Sequence, residues 1–300
     1  MIQLLTKNNG IAILVSVLIF STSFVLLQNF ETKQLIYGLV LFLQGFTLNY
    51  LCFRYSVLGY KSSLPLVLFA CLSLIILPQL SVQDLIYGFV WLAAFFLAFE
   101  SRDDAKTSKD FIIYFGILLG VAQTIDNTSV LFMLPVYLLF MQTGGRSKGS
   151  YLLSILYFVM IVAAYSGILF VMEIPDKIYN LIPNLKFDYS VFNSLFLKLL
   201  MPTVFVSLVV HFLLINNYRF RYPNKSKILN YTMFLQVLVA FILLLLSAKT
   251  EFLIYLLMPS SILLSFMFLY KSKNTFANAA FICLLTVAFG SLLMYKILML

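Results

Sequence analysis

Five acidic residues lie beside the ends of long apolar stretches, where a carboxylate can act as a general base or bind a cation. They are Glu31, Asp84, Asp126, Glu173 and Glu251. An enzyme that works on a polar group at a membrane surface needs a side chain of this kind, so Glu31, Asp84 and Asp126 are the catalytic candidates. The alternative is that these acids only cap and solvate helix ends.

Asp126 belongs to a polar tip, Gln123 to Thr128, between the apolar runs Phe111–Ile125 and Ser129–Gln142. Each run is short for the roughly 20 residues that cross a bilayer. If they do not cross it, the tip is drawn toward the membrane interior, where a carboxylate must be paired. Gln123 and Asn127 are then candidate binding residues. The alternative is a solvated turn.

The remaining reactive side chains are few and scattered. The single histidine, His211, is a third candidate binding residue, because ionisable groups within membrane helices are often functional; the alternative is a hydrogen-bonded packing residue. The three cysteines lie apart within apolar runs. The chain has no HExxH, CxxC or GxxxxGK[ST] pattern. Its GxSxG match, residues 145–149, lies in a basic connection between apolar blocks and not at the strand-to-helix turn of a nucleophile elbow. The sequence therefore predicts no metal site and no cofactor.

The composition predicts the elements that carry these residues. Of the 300 residues 62% are hydrophobic and only 10% charged, with a mean hydropathy of +1.02, whereas soluble domains have about 25% charged residues. The prediction is an all-α, polytopic transmembrane bundle with eleven apolar blocks. The blocks are Gly10–Gln28, Leu35–Phe53, Ser63–Leu80, Leu85–Phe99, Phe111–Ile125, Ser129–Gln142, Tyr151–Met172, Ser194–Ile215, Leu229–Ala248, Phe252–Tyr270 and Phe276–Ile297.

Basic residues are sorted between alternate connections. The even-numbered connections carry thirteen Lys and Arg residues and the odd-numbered ones four, and basic loops stay in the cytoplasm. We therefore expect a multi-pass membrane protein with a cytoplasmic N-terminus and, for eleven spans, an outer C-terminus. If 111–142 is a re-entrant hairpin, nine spans remain. The net charge of +9 then reflects inner loops that meet membrane lipids, and nucleic acid is not an expected partner.

The chain reads as one transmembrane domain, 1–300, with three local features. Leu35–Val40 recurs as Leu85–Val90, which suggests a tandem hairpin repeat of 10–53 and 63–99; convergence explains the match equally well. Segment 173–193 has helical apolar spacing typical of an interfacial helix, although a plain linker fits too. Gly116 and Gly120 form a GxxxG step, which predicts close packing between helices.

Two resemblances accompany these patterns. Segment Asn49 to Leu139, with LPLVLFACLSLIILPQLS, FGILLGVAQ and LPVYLLF, together with Lys7-Asn8-Asn9, resembles a multi-spanning inner-membrane family of Bacteroidota, especially flavobacteria. That resemblance implies no activity. The order of charged loop, GILLGVA, polar tip and LPVYLL also resembles multi-spanning glycosyltransferases that use polyprenyl-phosphate sugars. Their acidic residue in a large first outer loop corresponds here to Glu31 in a short loop, and their large outer domain is missing.

Three functions remain open. The first is a non-catalytic scaffold or partner subunit in envelope biogenesis, bound to other inner-membrane proteins. The second is an outer-face enzyme that uses a lipid-linked sugar. The third is a transporter of lipids or small molecules without a mid-membrane ion site.

Overall fold

The computed structural model describes the helical parts of the chain. It covers residues 5, 9–26, 32–58, 61–77, 80–103, 108–125, 127, 129–131, 137, 148–174, 176–179, 181, 198, 202, 204–205, 208–209, 224–247, 252–270 and 274–299. Within these residues the regular elements are helices and no strand occurs. The prediction of an all-α chain is therefore confirmed.

Ten helices have defined bounds in the described residues. They are α1 Asn9–Leu26, α2 Thr32–Arg54, α3 Leu64–Ile76, α4 Val82–Asp103, α5 Ser108–Ile125, α6 Lys148–Val171, α7 Asp176–Tyr179, α8 Asn224–Ser247, α9 Phe252–Tyr270 and α10 Asn274–Met299. All except the single-turn α7 coincide with predicted apolar blocks. The blocks Ser129–Gln142 and Ser194–Ile215 lie mostly outside the described residues.

Helix α3 is the centre of the bundle. All of its 13 residues are buried, and α1, α2, α9 and α10 pack around it. The helix begins after Ser62, whose hydroxyl accepts the N–H of Leu64 at 3.2 Å, and it has Pro65 in its first turn. It ends two residues before Pro78, which cannot continue a helix. With 13 residues, this helix is shorter than the predicted block Ser63–Leu80.

Helix α9 is the second buried helix and packs on α3, α4 and α8. Residues 253–268 are all buried. Two of its serines bond to the helix itself: the Ser261 hydroxyl donates to the Met258 carbonyl and the Ser265 hydroxyl to the Ser261 carbonyl, both at 2.7 Å. Such local bonds satisfy hydroxyl groups inside an apolar core.

The outward faces of the helices are apolar. One stripe follows almost the whole of α2 and consists of Leu35, Ile36, Leu39, Leu43, Phe46 and Tyr50. A soluble protein would expose polar groups at these positions, because large apolar patches in water favour association or aggregation. The arrangement is the one expected of helices whose solvent is hydrocarbon.

Three of the described helices are long and apolar enough to cross a membrane. The qualifying segments are Leu35–Arg54 in α2, Val82–Glu100 in α4 and Tyr151–Val171 in α6. The other apolar segments are shorter, at 10 to 17 residues. The predicted count of eleven spans is therefore not confirmed, whereas an all-α chain with three candidate spans is.

Polar contacts gather helix ends at one end of the bundle. The amide of Asn49, near the end of α2, donates to the hydroxyl of Ser63, which in turn donates to the side-chain oxygen of Asn9. Arg54 pairs with Glu100 at the end of α4. All five residues lie at or near the connections that the charge pattern predicts to be cytoplasmic.

Candidate functional site at the hairpin tip

Two glycines hold α5 against α6. A Cβ atom on Gly116 would collide with the backbone carbonyl of Ser154, and one on Gly120 would lie 2.7 Å from the Cβ of Ile161. The backbones can approach this closely only because the glycines have no side chain. The Ser154 hydroxyl is also 2.6 Å from the Tyr137 hydroxyl.

The two glycine contacts show the relative direction of α5 and α6. Moving from Gly116 to Gly120 along α5 corresponds to moving from Ser154 to Ile161 along α6, so the helices run parallel. This register sets Gln123 level with residues 161–164, about two turns before α6 ends at Val171. The tip therefore lies about two turns short of the C-terminal end of α6.

Gln123 connects three backbone segments at the tip. It is 4% exposed, and its side-chain nitrogen donates to the carbonyls of Asn127 at 2.6 Å and Leu181 at 2.9 Å. Its side-chain oxygen accepts the N–H of Val130 at 3.1 Å. One amide thus closes the tip, supports the start of the returning segment and binds segment 173–193, which follows α6. We call this the outer segment, because the charge pattern predicts that it lies outside.

These bonds engage both ends of the Gln123 amide. Binding a ligand there would require breaking an internal hydrogen bond. Leaving a buried polar group without its partner costs about 1–3 kcal/mol of stability. Asn127 contributes its backbone carbonyl to the same network. The arrangement serves to join the hairpin to the outer segment, of which α7 is a single turn.

Asp84 belongs to the capping box at the start of α4, in which Ser81 is the N-cap residue and Asp84 the third residue of the helix. The Asp84 carboxylate accepts the backbone N–H and the hydroxyl of Ser81, at 2.5 and 2.8 Å, and its own N–H donates to the Ser81 hydroxyl at 3.3 Å. This reciprocal pattern defines a capping box. Asp84 is buried, so the structure uses this candidate base in a helix cap.

The comparison with known families covers the whole chain. Residues 1–300 match the model of the family of unknown function DUF6427. The chain belongs to this family. No curated protein and no solved structure matches it. The match carries no relationship to glycosyltransferases and no taxonomic assignment, so those two predicted resemblances are not supported by it.

Three other candidate residues of this DUF6427 chain, Glu31, Asp126 and His211, lie outside the described residues. Asp84 is therefore the one candidate catalytic acid that the structure describes. Within the described helices and turns, no three His, Cys, Asp or Glu side chains come close enough to hold a metal ion.

Sequence reasoning missed a polar contact between α2 and α4. The side-chain nitrogen of Gln44, fully buried in α2, donates to the Leu85 carbonyl of α4 at 2.6 Å. A Cβ on Gly88 would lie 2.6 Å from that amide, so the glycine makes room for it. The sequence signal for this contact was a glutamine within the apolar block Leu35–Phe53, together with the glycine of the repeated segment Leu85–Val90.

Proposed function

We propose that this DUF6427 chain is a multi-pass protein of the bacterial inner membrane that serves as a non-catalytic partner subunit in envelope biogenesis. Its N-terminus is cytoplasmic, its outer connections include segment 173–193, and its helices form about eleven spans. The observation that carries the proposal is the exposure of α6, which makes this helix available to another membrane protein.

Helix α6 is the least covered of the three candidate spans. Only 11% of its most apolar window is buried, against 50% in α2 and 56% in α4. Its packing within the described bundle is almost wholly with α5, and the short α7 touches its end. Most of its apolar circumference is therefore directed away from the bundle.

The exposed side of α6 carries a small-residue step. Ala163 and Gly167 are four residues apart and both exposed, and a Cβ on Gly167 would meet no atom within 4 Å. At about 100° per residue, these positions lie on the side opposite Phe158 and Ile161, which contact α5. Small residues at this spacing let a second membrane helix approach closely.

The described polar side chains support a non-catalytic role. Asp84 is used by a helix cap, and Gln123 is used by the hairpin tip. An outer-face enzyme needs an acid at a substrate-accessible surface. Asp84, the one of the three catalytic candidates that the structure describes, is buried, whereas Glu173 is exposed. Alanine substitution at Glu31, Asp84 and Asp126 that leaves cellular glycoconjugates unchanged would argue against that alternative.

Site-specific photo-crosslinking in native membranes tests the proposal. A photoreactive residue at Ala163 should give a discrete adduct that contains a second membrane protein. Gly167→Leu should abolish that adduct without changing thermal unfolding, because its side chain enters open space. Gly290→Leu, which also extends into open space but on α10, should leave the adduct intact.

Lipid adducts alone at Ala163, in the wild type as well as the variant, would contradict the partner-subunit role. Persistence of the protein adduct in Gly167→Leu would contradict the assignment of this face. Gly116→Leu provides the folding reference, because it collides with α6 and should lower thermal stability.

A further inference from the structure

A cavity of about 280 Å³ lies between α9 and α10. Leu264, Met267 and Phe268 of α9 line one side, and Cys283, Leu284 and Val287 of α10 line another. Ala280 of α10 and Pro202, from a third segment, complete the lining, and both are apolar as well. The cavity exists because consecutive helices diverge: α9 packs mainly on α8, α3 and α4, whereas α10 packs on α3 and α1. We call it the α9–α10 cavity.

The lining determines what the cavity can hold. All of these side chains are apolar or weakly polar, so a water molecule inside would lack the two to four polar partners it needs. An unfilled space deprives its walls of dispersion contacts. An apolar cavity of about 150 Å³ can bind benzene, and the α9–α10 cavity has roughly twice that volume, enough for part of a hydrocarbon chain.

The cavity adjoins the lipid-facing side of α10. Cys283 both lines the cavity and is exposed, and the preceding residue, Ile282, is 52% exposed. A hydrocarbon chain in the bilayer can therefore reach the cavity without passing through a polar layer.

One end of the cavity is closed by two aromatic rings. Phe268 of α9 meets Phe281 of α10 edge to face, with ring centroids 6.2 Å apart, and Phe281 is fully buried. Phe268 lies two residues before the end of α9. The connection that follows carries Lys271 and Lys273, and basic connections are cytoplasmic, which places the cavity in the cytoplasmic half of the bilayer.

We propose that the α9–α10 cavity binds one acyl chain of a phospholipid from the cytoplasmic leaflet. The inference rests on the membrane placement in the proposed function, not on the partner-subunit role. A bilayer tail is as apolar as the leucines of the wall, so its entry restores the dispersion contacts that the divergence of α9 and α10 removes.

Two neighbouring alanines allow a matched test. Ala280 lines the cavity, whereas Ala279 is exposed and does not line it. The full-length protein is reconstituted in vesicles of phosphatidylethanolamine and phosphatidylglycerol that contain a phospholipid with a diazirine in its acyl chain. After illumination, mass spectrometry locates the adducts.

Wild type and Ala279→Phe should give adducts concentrated at 280–287. Ala280→Phe, and independently Val287→Phe, should lose them because the new ring fills the cavity. Equal labelling in Ala279→Phe and Ala280→Phe, or labelling spread evenly along α10, would overturn the proposal and identify the lipid as annular. Resistance of each variant to alkaline extraction reports membrane insertion separately, so failure of the membrane placement is distinguishable.

Discussion

Polar residues in this chain act mainly as connectors between backbone segments. Gln44, Asp84 and Gln123 are each buried and each bonded to backbone groups. Such bonds matter most where water is scarce, because an unsatisfied backbone group in hydrocarbon costs several kcal/mol. Among the described residues that suggested chemistry in the sequence, Asp84 and Gln123 are therefore used to hold a helix start and a turn.

The Asp84 cap gives the first prediction. Asp84→Ala and Ser81→Ala should each lower the free energy of unfolding in detergent by about 0.5–2 kcal/mol, the usual cost of losing an N-cap. The double variant should lose less than the sum, because both residues belong to one capping box. The neighbouring exposed Gln83, replaced by alanine, provides the control.

A different outcome would favour the enzyme alternative. If Asp84→Ala leaves unfolding unchanged but alters cellular glycoconjugates, Asp84 is not merely a cap.

Two glycines, one closely packed and one facing open space, give the second prediction. Gly88→Ala should destabilise the protein by about 1–3 kcal/mol, as overpacking does, because the new Cβ displaces the Gln44 amide from the Leu85 carbonyl. Gly290→Ala should be neutral or stabilising by up to about 1 kcal/mol, since alanine is the better helix former and its Cβ meets open space. Chemical unfolding in detergent measures both.

Adding Gln44→Ala to Gly88→Ala should recover part of the lost stability by removing the collision. Equal stability of Gly88→Ala and Gly290→Ala would show that the Gln44 contact has no energetic role.

At the scale of elements, α5, α6 and the outer segment form one unit. Gly116 and Gly120 set the parallel pair, and Gln123 ties its tip to Leu181. The sequence predicted the apolar blocks and the small-residue step, because both follow from local composition. It could not predict the parallel register or the bond to Leu181, which depend on residues 38 to 58 positions apart.

Gln123→Leu gives the third prediction. The change leaves the carbonyls of Asn127 and Leu181 and the N–H of Val130 without this partner. At about 1 kcal/mol per bond, the free energy of unfolding should fall by about 3 kcal/mol. The outer segment should also loosen, so trypsin should cleave faster after the exposed Lys177 in intact spheroplasts.

Thr124→Val is the matched control. The Thr124 hydroxyl bonds only to the Val121 carbonyl of its own helix, so cleavage after Lys177 should match that of the wild type. If Gln123→Leu and Thr124→Val are cleaved equally, the amide does not hold the outer segment.

At the scale of the whole molecule, the described helices are apolar on their outer faces as well as in their core, unlike those of a soluble protein. The central helices α3 and α9 are apolar and covered, yet the outer faces of α2 and α6 are apolar too. Composition alone predicted this, because 10% charged residues cannot cover a water-facing surface. The separation of α9 from α10 had no sequence signal, since it results from the different partners of two adjacent helices.

The membrane placement is tested most directly by cysteine accessibility. Cys52, Cys71 and Cys283 are replaced by alanine, and Ser56→Cys or Glu173→Cys is introduced; both positions are exposed in the structure. A membrane-impermeant maleimide should label Cys at 173 in intact spheroplasts and Cys at 56 only in inverted vesicles. Labelling of both positions from the same side, or recovery of the protein in the soluble fraction, would contradict the account.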